Sequence, residues 1–144
     1  MTSAADPVPP ADDTAHAVVT GPTPLRILAL WGPVLAWMAA IFAASSTSSG
    51  GSSLDLPDWL THGTAYLVLS VLACRALAGG SRKRLLGRHA LAAVVVCGAY
   101  GVGDEVHQSF VPGRDPSAAD VGKDVAGALV GALGYRRASR AVVR

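Results

Sequence analysis

From Leu25 to Ala44 the chain carries a single ionic side chain, Arg26, at the very start of the run. Some 20 residues at 1.5 Å each match a hydrocarbon core of ~30 Å. Inside a bilayer no water is present to satisfy backbone N–H and C=O groups, so a helix is the default for such a run. Pro33 falls within it, which a membrane helix tolerates better than a soluble one. The rest of the chain has the same character: charged residues make up 15%, against ~25% in soluble domains. These features exclude a disordered chain and a soluble enzyme with a polar surface.

Three further segments repeat the pattern. The expected spans are residues 25–44, 62–80, 87–106 and 117–135, which makes the chain an all-α, polytopic membrane protein with four transmembrane helices in a compact bundle. Residues 1–24, rich in Pro, Asp, Ala and Thr, read as a disordered tail. The serine-rich run from Ser45 to Ser53 reads as a linker, and residues 136–144 as a basic tail. Asp115 is the expected N-cap of the fourth helix, with Pro116 in its first turn. Between the last two helices, Pro112-Gly113 suits a type II turn that would aim Arg114 back toward the acidic residues. Gly127 and Gly131 form a GxxxG, a spacing that lets helix backbones approach closely in lipid. Cys74 and Cys97 lie in apolar runs and read as small buried side chains.

Ten of the twelve Lys and Arg residues fall on one side of these spans. The positive-inside rule therefore places both termini in the cytoplasm. That topology accounts for the arginines, and no aromatic platform accompanies them, so a nucleic-acid partner is not indicated.

Measured from the basic ends, the four helices carry polar residues to one outer layer, about 18–30 Å away. The layer holds Ser45, Ser46, His62, Tyr66, Asp104, Glu105, Asp120, Lys123 and Asp124. Ionisable groups at such depth are costly and should turn inward and pair. Asp58, His62, Tyr66 and Ser70 recur every four residues, as do Tyr100, Asp104 and Gln108, so each set lies along one helix face. Arg114 suits a carboxylate or phosphate, because its planar fork bonds two oxygens at once.

These residues also carry a resemblance. Phe42-x-x-Ser45-Ser46, Asp58-x-x-x-His62-x-x-x-Tyr66-x-x-Leu69 and, above all, Asp104-Glu105-x-x-Gln108-x-Phe110-x-Pro112-Gly113-Arg114 resemble motifs of the VanZ-like family. The continuation, Ser117-x-x-Asp120-x-x-x-Asp124-x-x-Gly127-x-x-x-Gly131, extends the match, which covers about residues 26–135. Two positions depart from it: Trp59 stands where the family often has Lys, and Asp124 where it often has Asn. The resemblance implies a small envelope protein related to an accessory of glycopeptide-resistance clusters, linked to teicoplanin and not to vancomycin.

Three function classes follow. In the first, the outer layer handles an amphiphile: a membrane lipid, a lipid-linked envelope precursor or a lipoglycopeptide. Arg114, Gln108, Tyr66, Asp120, Asp124 and Ser46 would be its binding residues. In the second, Glu105, Asp104 and His62 serve acid–base hydrolysis or transfer on a lipid-linked phosphate or glycosyl substrate. Asp120, Asp124, Glu105 and His62 could instead hold a divalent ion, though they match no metal motif. In the third, the carboxylates are the coupling sites of an ion-driven transporter. No cofactor is indicated, and the oligomeric state is not legible.

Overall fold

The computed structural model describes residues 21–47, 57–81 and 83–142. The expected N-terminal tail up to residue 20, most of the serine-rich linker, Asp55 and Arg82 lie outside the described residues, as does the side chain of Asp58. Four helices form the chain: α1 (Pro24–Ser45), α2 (Asp58–Ala78), α3 (Gly87–Gln108) and α4 (Ala118–Val142).

The helix ends follow local chemistry. Thr23 caps α1, its hydroxyl accepting from the Arg26 N–H, and Pro24 takes the first turn, where a missing N–H costs nothing. Gly79 ends α2 in the left-handed region at φ 76°. There Gly79 N–H donates to Ala76 O and Gly80 N–H to Arg75 O, the paired bonds of a Schellman stop. The α3–α4 turn is as expected from Pro112-Gly113: Gly113 has φ 80° and Arg114 N–H closes onto Val111 O at 3.2 Å.

Three expectations need correction. The helix α2 starts four residues ahead of His62, directly after Pro57. The cap of α4 is Ser117, whose hydroxyl accepts from the Ala119 N–H at 3.1 Å, so neither Asp115 nor Pro116 opens the helix. Most of the expected basic tail continues α4 to Val142. A fourth difference concerns the spans. Among the described residues three helices, and not four, are long and apolar enough to cross a membrane, namely Pro24–Ser45, Trp59–Ala78 and Gly87–Gln108. The helix α4 carries Asp120, Lys123 and Asp124 near one end and Arg136, Arg137 and Arg140 near the other.

Packing is most extensive between α2 and α4. The reason is the absence of side chains: a Cβ at Gly127 would overlap the Gly63 carbonyl, and one at Gly131 would lie 2.5 Å from Leu67 O. With the backbones this close, Ser70 donates to Ala128 O at 2.7 Å, with both residues buried. Cys74 and Cys97 are free and fully buried, as their apolar settings suggest.

By contrast α1 is peripheral. Only Val34 and Ser45 are buried along it, while Leu25, Leu28 and Leu35 are largely exposed. Its attachment relies on side chains that reach backbone carbonyls across the helix boundary. Trp37 Nε1 donates to Ala65 O at 2.9 Å and the Tyr100 hydroxyl to Met38 O at 2.6 Å. Pro33 has no N–H, so the carbonyl four residues earlier, at Ala29, lacks its helical partner. The guanidinium of Arg75 on α2 donates to that carbonyl at 3.2 Å.

Two predictions follow from these contacts. Gly127→Ala should lower stability by about 2–3 kcal/mol through backbone collision. Gly134→Ala, with nothing within 4 Å of its new methyl, should be neutral or stabilising by roughly 0.5–1 kcal/mol; thermal unfolding in detergent compares the two. In the same assay, Arg75→Leu should cost about 1 kcal/mol more with Pro33 present than in a Pro33→Ala background, where Ala29 regains a backbone partner.

Candidate functional site

The up-and-down order of the helices brings the end of α1, the start of α2, the end of α3 and the start of α4 to one end of the bundle. Two hydrogen-bonded groups form there, in different seams. In the first, Ser45 Oγ donates to Asp104 Oδ1 at 2.6 Å and Gln108 Nε2 donates to Asp104 Oδ2 at 2.9 Å. All three residues are buried, and the group ties α1 to α3. Beside it, Ser46 Oγ lies 2.9 Å from His107 Nε2, and the Phe42 and His107 rings stack at 4.3 Å.

The second group joins α2 to α4. His62 Nδ1 meets Asp124 Oδ1 at 3.0 Å. Asp124 is 1% exposed, and its other oxygen lies where a side chain at residue 101 would begin, 2.9 Å from the position of an added Cβ. Gly101 thus makes the space for this carboxylate. The ring of Tyr66 closes the same spot, with Cε1 3.5 Å from that position. Tyr66 is 1% exposed, and its hydroxyl has no hydrogen-bond partner among the described residues. Asp120 pairs with Lys123 at 2.5 Å, one turn along α4.

Glu105 stands apart from both. It neighbours Asp104 in sequence, and a helix turns consecutive residues by about 100°, so it faces the α3–α4 seam. Its Oε2 accepts the Ser117 N–H at 2.7 Å, at the start of α4. The expected acid–base set of Glu105, Asp104 and His62 is therefore divided: Asp104 bonds to Ser45 and Gln108, His62 to Asp124, and Glu105 to Ser117. Arg114 follows the turn as expected, yet makes no ion pair with Asp104, Glu105 or any other described residue. It is half-buried, and its Nε has no partner. Among the described residues, no three His, Cys, Asp or Glu side chains converge in a way that would hold a metal ion.

Ser45 and Ser117 contribute contacts that a reading centred on Ser46 misses. The signal for Ser45 is its spacing: Val34, Met38, Ile41 and Ser45 are separated by four, three and four residues, one helical face. Val34 is buried, and Met38 and Ile41 pack against the same core.

The pairing of His62 with Asp124 yields a contrast between two substitutions. Asp124→Asn retains an oxygen for the imidazole and should change stability by less than ~1 kcal/mol. Asp124→Leu removes the carboxylate from a half-buried imidazole and leaves no polar group in its place, and should cost more, about 2 kcal/mol. Unfolding of both variants in detergent, with His62→Leu for the double cycle, measures the coupling.

Comparison with known proteins adds the family to this geometry. No curated protein and no solved structure matches the chain. The VanZ/LLP1 family matches residues 30–140, which takes in most of α1, all of α2 and α3, both hydrogen-bonded groups and nearly all of α4. The chain belongs to the VanZ/LLP1 family.

Proposed function

We propose that the chain is a four-span protein of the bacterial plasma membrane, with both termini cytoplasmic, whose outer polar layer handles a lipid-anchored ligand. The observation that carries this reading is Arg114. It sits half-buried at the polar end of an apolar bundle, without an ion pair among the described residues, while Asp104 bonds to Ser45 and one Glu105 oxygen to the Ser117 N–H. A guanidinium so placed suits a phosphate or carboxylate at a lipid headgroup. Tyr66, whose hydroxyl has no partner among the described residues, offers a further polar contact. Gln108, Asp120, Asp124 and Ser46 shape the layer through the bonds described above.

Support for the fourth span comes from how α4 disposes of its charge. Asp124 is buried against His62, and Lys123 is paired with Asp120 one turn away, so the ionic groups in the first turns of α4 are paired and not left alone to face lipid. Support for the orientation comes from the opposite end. There Arg26 donates to Gly79 O and the Arg136 guanidinium lies beside Gly87, which gathers the basic residues on one side.

A second reading, hydrolysis or transfer on a lipid-linked phosphate or glycosyl substrate, draws on the His62–Asp124 contact, in which a carboxylate orients an imidazole. It requires that His62→Ala abolish function while leaving the protein folded.

The test is drug sensitivity in a glycopeptide-susceptible Gram-positive host that expresses the wild type or Arg114→Ala, with teicoplanin and vancomycin in parallel. The wild type should raise tolerance to teicoplanin alone, and Arg114→Ala should cancel the gain at equal membrane abundance. A wild type present in the membrane that shifts neither drug would overturn the lipoglycopeptide reading. Reporter fusions at the two termini should both report the cytoplasmic side; an external C-terminus would remove the fourth span.

A further inference from the structure

Between the end of α3 and the start of α4 runs an open groove of about 280 Å³ that the polar layer does not include. Its walls are mainly apolar: Val102, Val106 and Val121, with Pro116 and Ala118 at the α4 end. Val102 and Val106 are 51% and 57% exposed on the outer surface of the bundle, so the groove opens sideways, where acyl chains run in a membrane. Glu105 is the one ionic side chain in its lining.

That carboxylate is 6% exposed and half-satisfied. Oε2 takes the Ser117 N–H, whereas Oε1 is buried and has no partner among the described residues. Of the two hydroxyls in the lining, Ser109 donates to Val106 O at 2.7 Å and Ser117 accepts from Ala119 N–H, and neither is bonded to Oε1. A buried carboxylate oxygen without a donor is costly, and an ionised carboxylate can only accept. The complement is a donor attached to something apolar. An ammonium fits best, because it supplies both the hydrogen bond and the opposite charge.

We propose that the α3–α4 groove binds an amphiphile with a primary ammonium headgroup, its N–H on Glu105 Oε1 and its alkyl chain along Val102, Val106 and Val121. This deepens the reading above and depends only on its membrane part. If Arg114 holds an anionic group of the same ligand, the ligand is zwitterionic, with a phosphate and an amine.

The experiment uses the purified full chain in phosphatidylcholine nanodiscs. Photoactivatable phosphatidylethanolamine is compared with phosphatidylcholine bearing the same diazirine chain. A photoactivatable alkylamine is compared with its trimethylammonium analogue, which keeps the charge and lacks the N–H. Labelling is mapped to peptides covering residues 102–121. The primary amine should label this region roughly tenfold more than its quaternary counterpart. Preference shown by the lipid pair identifies a bilayer lipid as the source; preference shown by the alkylamine pair alone identifies a single-chain amphiphile.

Glu105→Gln keeps an oxygen for Ser117 but replaces the acceptor in the groove with a donor, and should bring the ratio near one. Val106→Trp fills the groove and should block labelling without touching the carboxylate, which keeps the test open should Glu105→Gln fail to fold. Equal labelling by primary and quaternary probes in the wild type would overturn the proposal. Arg114→Ala should retain the amine preference, so failure of the anion-binding reading and failure of the groove are separable.

Discussion

The close approach of α2 and α4 governs the rest of the bundle. With no side chains at Gly127 and Gly131, the two backbones come near enough for Ser70 to reach Ala128 O and for His62 to reach Asp124. A few ångströms more and these bonds would be lost, and an unsatisfied polar group in lipid costs several kcal/mol. The glycines therefore act on the chemistry at the polar end as well as on packing. Gly101 has a comparable part on α3, where its missing side chain leaves room for the second oxygen of Asp124.

The polar layer divides its work by seam. Asp104 fastens α1 to α3, Asp124 fastens α4 to α2, and Glu105 fastens the start of α4 to α3. Three acids thus serve three helix pairs, each through a short contact to a serine, a histidine or a backbone N–H. In a low-dielectric setting such bonds are stronger than in water, and the loss of any one is correspondingly expensive. What the layer leaves over is limited to particular atoms: the Tyr66 hydroxyl, Glu105 Oε1 and Arg114 Nε. The functional readings rest on those atoms and on the apolar groove beside one of them.

Much of this was legible from the residues alone. Four helices followed from apolar runs between charges, the Pro112-Gly113 turn from the φ that each residue allows, and a close backbone approach by α4 from the GxxxG, although not that its partner is α2. Other features were hidden for physical reasons. A charge count registers Lys123 and Asp124 on α4, yet cannot see that one is paired along the helix and the other buried against His62. Ser45 and Ser46 are adjacent, so composition says nothing of which one turns inward; only the phase of the Val34 face decides it. The division between Asp104 and Glu105 is of the same kind. Arg114 shows the limit of turn chemistry, which sets where the backbone goes but not which partner a long side chain finds. The separate role of Ser117 was masked by Asp115 and Pro116, two residues with equally good credentials for a helix start.

Pro33 and Arg75 bear on the order in which such a chain can assemble. A ribosome delivers α1 before α2, so when α1 first enters lipid the carbonyl of Ala29 has no donor. Its donor comes on Arg75, near the far end of the next helix, and Arg26 likewise finds its carbonyl only at Gly79. Both bonds lie where α2 finishes, not where it begins. The basic end of this first hairpin is therefore the part completed last, after Trp37 has already been able to reach Ala65 near the start of α2.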